Sequence, residues 1–260
     1  MDQRTKRSWT SDRLSARCLT IGLAGLLALA SSPNAIAATI VSPSADTSVE
    51  GNSNNGFPFN IALFGLSSER YEQVYSATQF GSGPLLITGL AFRPDANTGA
   101  AFSTTLSNVS IFLTTTANAP DALSSIFANN EGADKTLVHS GSLSLSSADT
   151  GPTGGPKAFD IVINLTTPFL YNPASGNLLL EVQNFGGGTT TQFDSEVTLG
   201  DPVSRVFTND VNGANDASGN TSTEGLVTEF LTAQVPEPSS MILFGSAALM
   251  FAAIRRRKQA

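Results

Sequence analysis

Between positions 38 and 234 apolar residues recur mainly at every second place, the spacing of a strand with one buried face. Over residues 159–165, Phe159, Ile161, Ile163 and Leu165 fall on one side and Asp160, Val162 and Asn164 on the other. Val109, Ile111 and Leu113 alternate with Ser110, Phe112 and Thr114 in the same way. Residues 71–80, 85–92 and 226–231 read as further strands, rich in β-branched and aromatic side chains, and residues 39–41 are a short apolar piece ahead of a polar loop. Residues 177–185 differ, because Leu178, Leu179 and Leu180 form an unbroken apolar run, which predicts a central strand. Only residues 120–128 read as a helix, a short one, with Pro120 and Asp121 suited to its first turn. Short strands separated by Gly- and Asn-rich turns predict an all-β fold, an antiparallel β-sandwich of jelly-roll type. A β-helix would need a regular repeat, and the chain has none.

Two apolar runs stand outside this alternation. The first, residues 18–30, follows Arg4, Lys6, Arg7, Arg13 and Arg17 and precedes Ala35-Ile36-Ala37. Basic leader, apolar stretch and small residues are the parts of a secretory signal, with cleavage after Ala37 and a mature start at Ala38. As an uncleaved membrane anchor the run is short. Cys18 opens the run instead of closing it, which argues against lipoprotein cleavage. The second run, residues 241–254, spans only about 21 Å as a helix against a hydrocarbon core of ~30 Å. Arg255, Arg256, Arg257 and Lys258 behind it form a basic stop that stays on the cytoplasmic side of the membrane. Three segments follow: a signal helix in 1–37, a secreted domain in 38–234, and a tail in 235–260 that includes a short transmembrane helix.

The tail carries a specific likeness. Val235-Pro236-Glu237-Pro238-Ser239-Ser240, then the short apolar run and the basic cluster, resembles the PEP-CTERM sorting signal of bacterial envelope proteins. The resemblance implies recognition of Pro236, Glu237 and Pro238 by exosortase, a membrane peptidase that removes the tail in transit. An apolar run too short for a lasting anchor fits that transient duty. It further implies a cell-surface or extracellular destination and exopolysaccharide as a neighbour. Residues 70–80, 87–95 and 159–185 resemble domains found ahead of such signals, for which the likeness implies no catalytic residues.

Charge sharpens the picture. Of 14 Lys and Arg, five lie in 38–234, against eighteen of the 21 acids, a formal charge of −13 for the body. Clustered cations are what nucleic-acid binding needs, so nucleic acid is excluded as a partner. The single cysteine precedes the body, which therefore folds without disulfides.

Candidate chemistry is thin. His139 is the only histidine, set among Leu137, Leu143 and Leu145 at strand spacing, which favours a place in or near the core. With no Gly-x-Ser-x-Gly elbow, a serine hydrolase is not expected. Glu181, Asp194 and Glu196 are either solvated surface acids or members of a carboxylate pair for glycoside hydrolysis. Tyr71, Tyr75 and Tyr171 are either core residues or platforms for sugar rings. Asp210, Asn212 and Asp216 offer oxygen ligands to calcium, but Ala214 and Asn215 break the EF-hand order, and a flexible solvated loop explains residues 209–225. The expectation is a non-enzymatic structural or interaction module needing no metal or cofactor, with a lectin-like domain, calcium-dependent or not, as the alternative.

Overall fold

The computed structural model describes residues 38–211, 213–233 and 235. Their strands are β1 (Ala38–Ser42), β2 (Ser53–Asn55), β3 (Glu69–Tyr75), β4 (Leu85–Phe92), β5 (Phe102–Thr116), β6 (Thr136–Ser147), β7 (Ile161–Tyr171), β8 (Asn177–Asn184), β9 (Phe193–Glu196), β10 (Val203–Phe207), β11 (Asn220–Ser222), β12 (Gly225–Leu226) and β13 (Thr228–Ala233). All pair antiparallel. A four-stranded sheet runs β1-β13-β4-β7, a six-stranded sheet β11-β10-β3-β8-β5-β6, and a small third sheet β12-β9-β2. The order β1-β13-β4-β7 against β3-β8-β5-β6 is that of a jelly roll, in which the successive members of these eight strands cross between sheets everywhere but at β5 and β6.

Alternation explains the core. Ile87, Leu90 and Phe92 of β4, Ile161 and Ile163 of β7, and Phe230 of β13 meet Leu106, Val109, Ile111 and Leu113 of β5 and Leu178, Leu180 and Val182 of β8 in one buried cluster. Phe80 stands edge-on to both Tyr171 and Phe230, with ring centres 5.1 and 5.0 Å away. The run 178–180 is central as expected, since β8 lies between β3 and β5. Leu179 faces outward, where Val74, Val206, Leu123 and Phe127 form a second cluster. Residues 117–135 thus roof the outer face of the six-stranded sheet.

Several expectations change. Residues 120–128 are not a helix: residues 120–121 turn, only Phe127–Asn129 form a single 3-10 turn, and Asp121 has φ 62°. Tertiary partners override the local preference there. Ser204 Oγ accepts from the Asp121 amide, and Asn130 Oδ1 accepts from the Ser124 amide. The strand expected over 71–80 ends at Tyr75, where Ser76 caps a 3-10 turn through the Thr78 amide. Residues 213–225 are not a loose loop, because Ala214 is buried, Gly213 and Gly219 let the backbone pass close to Thr208 and Phe207, and β11 pairs with β10. In β6 a register shift beside Val138 turns Leu137 out to solvent while Leu143 and Leu145 stay in the core, so Leu137 leaves the face that His139 shares with them. Pro168 occupies a comparable irregularity in β7, an edge strand, where a missing N–H is tolerated. The expected signal helix and C-terminal helix lie outside the described residues.

Replacing Phe230 by Ala should cost about 3–5 kcal/mol, because it empties the point where β13, β3 and the 77–80 turn meet. Urea unfolding of the body measures it; a loss under ~1 kcal/mol would show that this ring is not central to the packing.

Candidate functional site

Five cations serve the body, and each is ion-paired among the described residues. Arg93, the residue after β4, is 1% exposed. Its Nε donates to Asp194 Oδ2 at 2.7 Å, and its Nη2 donates to the carbonyls of Asp46 (2.9 Å) and Val49 (2.6 Å). The guanidinium lies 4.7 Å from the Phe159 ring centre. Asp194 Oδ1 accepts from the Gly51 amide at 2.9 Å, and Glu50 Oε1 from the Ala96 amide at 2.6 Å. One guanidinium thereby pins the polar segment 43–51 to β9 and β4. Burial pushes the Asp194 carboxyl up to about 7 against the pull of Arg93, and Asp46, buried and near Glu196, rises to about 6.

The second cluster lies between β3, β8 and the 117–135 roof. Arg70 Nη2 donates to Glu131 at 2.8 Å, and its Nε lies 2.9 Å from Glu181 in a contact without hydrogen-bond alignment. Lys135 pairs with Glu131 at 3.0 Å and with Glu181, its ammonium 4.5 Å from the Phe112 ring centre. Glu72, fully buried, accepts from Asn130 Nδ2 at 2.8 Å. Burial raises its carboxyl to about 8. A neutral Glu72 leaves two carboxylates facing two cations, a balanced set.

A third cluster joins the six-stranded sheet to the small one. Gln73 exchanges two hydrogen bonds with the backbone of Leu226, a side chain doing the work of a strand pair. Arg205 pairs with Glu224, which also accepts from Ser53 and Ser195. Glu69 is buried beside it, and burial holds its carboxyl well above the usual range.

Oxygens of Glu50, Asp95 and Asp194, and of Glu72, Glu131 and Glu181, each lie within 4.8 Å of one another. Neither trio suits a divalent cation. Arg93 fills the charge role in the first, Arg70 and Lys135 in the second, and Asp95 Oδ1 already accepts from Asn97 and Thr98.

The residues singled out from sequence are dispersed. Glu181 and Asp194 are buried ion-pair members, not solvated acids; Glu196, half-buried, binds Asn52 and Thr198. Their separate partners keep Glu181 and Asp194 in different clusters. Tyr71, Tyr75 and Tyr171 are fully buried core residues, with hydroxyls bonded to Gln73, Thr228 and Gly176. They offer no face to a sugar. His139 is buried with Nε2 unpartnered. Asp210 is exposed, and Asp216 lends its carbonyl to Arg70. Ala38 opens β1. Ala35, Ala37, Asn212, Pro236, Glu237, Pro238, Arg255, Arg256, Arg257 and Lys258 lie outside the described residues. The clusters around Arg70, Arg93 and Arg205 were not foreseen; the available signal was an arginine inside or beside each of three apolar strand patterns.

Comparison with known proteins bears on the tail. Residues 234–258 match the family model of the PEP-CTERM protein-sorting motif, a span that contains both Pro236-Glu237-Pro238 and the basic cluster. The chain therefore carries the signal of an exported protein that is processed by exosortase, a membrane protein. No curated protein and no solved structure matches the chain.

Two outcomes follow from the buried charges. Arg93→Met leaves Asp194 without its partner and should cost about 3–5 kcal/mol by urea unfolding, with much of the loss recovered in Arg93→Met/Asp194→Asn. For Glu72 the folded state holds its proton up to about pH 8 while the unfolded chain releases it near 4.5, so this group subtracts stability as pH rises through that window. Glu72→Gln should gain on the unsubstituted protein by about 2–4 kcal/mol between pH 5 and pH 8. Parallel pH profiles would refute a neutral Glu72.

Proposed function

We propose that the chain is an exported cell-envelope or extracellular-matrix protein, sorted by exosortase, whose sandwich acts as a non-enzymatic structural or interaction module beside extracellular polysaccharide. The observation that carries this reading is the place of the sorting motif. β13 ends at Ala233 and the motif begins at 234, so the tail can be removed without breaking any of the described strands. The pairing of all five cations with acids supports a scaffold in which charge holds loops to sheets.

A lectin-like reading has one observation in its favour. Thr208, Asn209, Asp210, Ser218, Gly219 and Asn220 line a polar cavity of about 230 Å³, in the segment proposed from sequence for calcium.

In a host that has the sorting peptidase, mass spectrometry should find the secreted protein without Arg255, Arg256, Arg257 and Lys258, and fractionation should place it with the extracellular polysaccharide. An intact C-terminus in the membrane fraction would overturn the proposal. Saturable sugar binding that is lost in Asp210→Ala would move the assignment to the lectin reading.

A further inference from the structure

β13 does not lie at a sheet edge. It runs between β1 and β4, with Ala38 opposite Thr232 and Leu86 opposite Ala233, and β4 brings Tyr171 of β7 opposite Leu85. The first and last strands of the body therefore end side by side. Only Gln234 and Val235 separate Ala233 from Pro236. Three Cα steps reach about 11 Å at full extension. A peptidase that grips Pro236-Glu237-Pro238 must come that close to the end of the four-stranded sheet. Peeling β13 away to gain room would break its pairing on both sides and withdraw Phe230 from the core.

The chemistry of that sheet end is distinctive in so acidic a body. Residues 81–84 lead into β4 and residues 172–176 leave β7; these turns, and the adjoining strand ends, contain no charged side chain. Within β1, β4, β7 and β13 the one charged residue is Glu229. Gly81, Ser82, Gly83, Pro84, Ala174 and Ser175 are exposed and small. Residues this small let another protein approach closely, and a rim without acidic side chains, beside the α-amino group that cleavage after Ala37 leaves on Ala38, spares it the desolvation of unpaired carboxylates.

We propose that this sheet end, residues 81–84 and 172–176 beside the paired ends of β1 and β13 and free of charged side chains, is the surface that seats against the sorting peptidase, which acts on the folded sandwich. The proposal rests on the exosortase reading above.

The test follows tail removal from the full chain by pulse-chase in the host. Gly83 has open space where a side chain would go and Ser175 is exposed, so both accept substitution; unchanged thermal melts confirm it. The pairs Gly83→Glu/Ser175→Glu and Gly83→Arg/Ser175→Arg should each slow processing by about tenfold or more, since either sign buries an unpaired charge at the contact. Inserting about eight Gly and Ser residues after Ala233, up to ~28 Å of added reach, should restore the rate. Wild-type rates in both pairs, or a defect that the insertion leaves in place, would overturn the docking surface. Slowing by Glu with acceleration by Arg would overturn it in favour of an anionic lipid surface. A tail retained by the unsubstituted chain would remove the processing reading, and the docking surface with it.

Discussion

Because β8 is buried on both faces, every polar group beside it must find its partner inside the protein. Leu178 and Leu180 fill the space between the sheets, and Leu179 needs a cover on the other side, which the irregular segment 117–135 supplies. That cover has few apolar residues to spend. It is fastened instead by Asn130, Glu131 and Lys135, which meet Glu72, Arg70 and Glu181 of the sheet. Charge burial is costly unless completed, and here the set closes only if one of three carboxyls keeps its proton. The buried ionic cluster is thus a consequence of a strand with no free face.

The strands themselves were largely legible in the sequence. Period-two alternation marked residues 159–165, and the unbroken leucines marked the centre of the larger sheet. What escaped was set by partners distant in the chain. Asp121 begins an acceptable helix until Ser204, far along the sequence, takes its amide; Val138 keeps a strand pattern but slips its register against β5. The acids at 181 and 194 look solvated one by one. Their burial becomes visible only when Lys135 and Arg93 are brought to them. Candidate chemistry was legible in the opposite sense, since one histidine and no cysteine in the body left few sites to find.

The ion pairs also shape what the surface presents. With its cations engaged, the body shows solvent mainly neutral polar groups and acids, and its long-range field is negative. Attraction to a polyanionic glycan is therefore not what would hold it in a matrix. Neutral sugars, or cations shared between acidic surfaces, suit this chemistry better.

The interior position of β13 has a consequence for the timing of folding. Thr232 donates to the carbonyl of Ala38 across 194 positions, so the opening strand has no partner on that side until nearly the whole body has been made. Contacts that distant are slow to form. A polypeptide threaded through a translocation pore from its N-terminus would stay open, with an inner strand of its four-stranded sheet missing, until residues 228–233 emerged. For a chain exported in that way, the topology would defer closure of the domain until β13 has crossed, just ahead of the sorting tail.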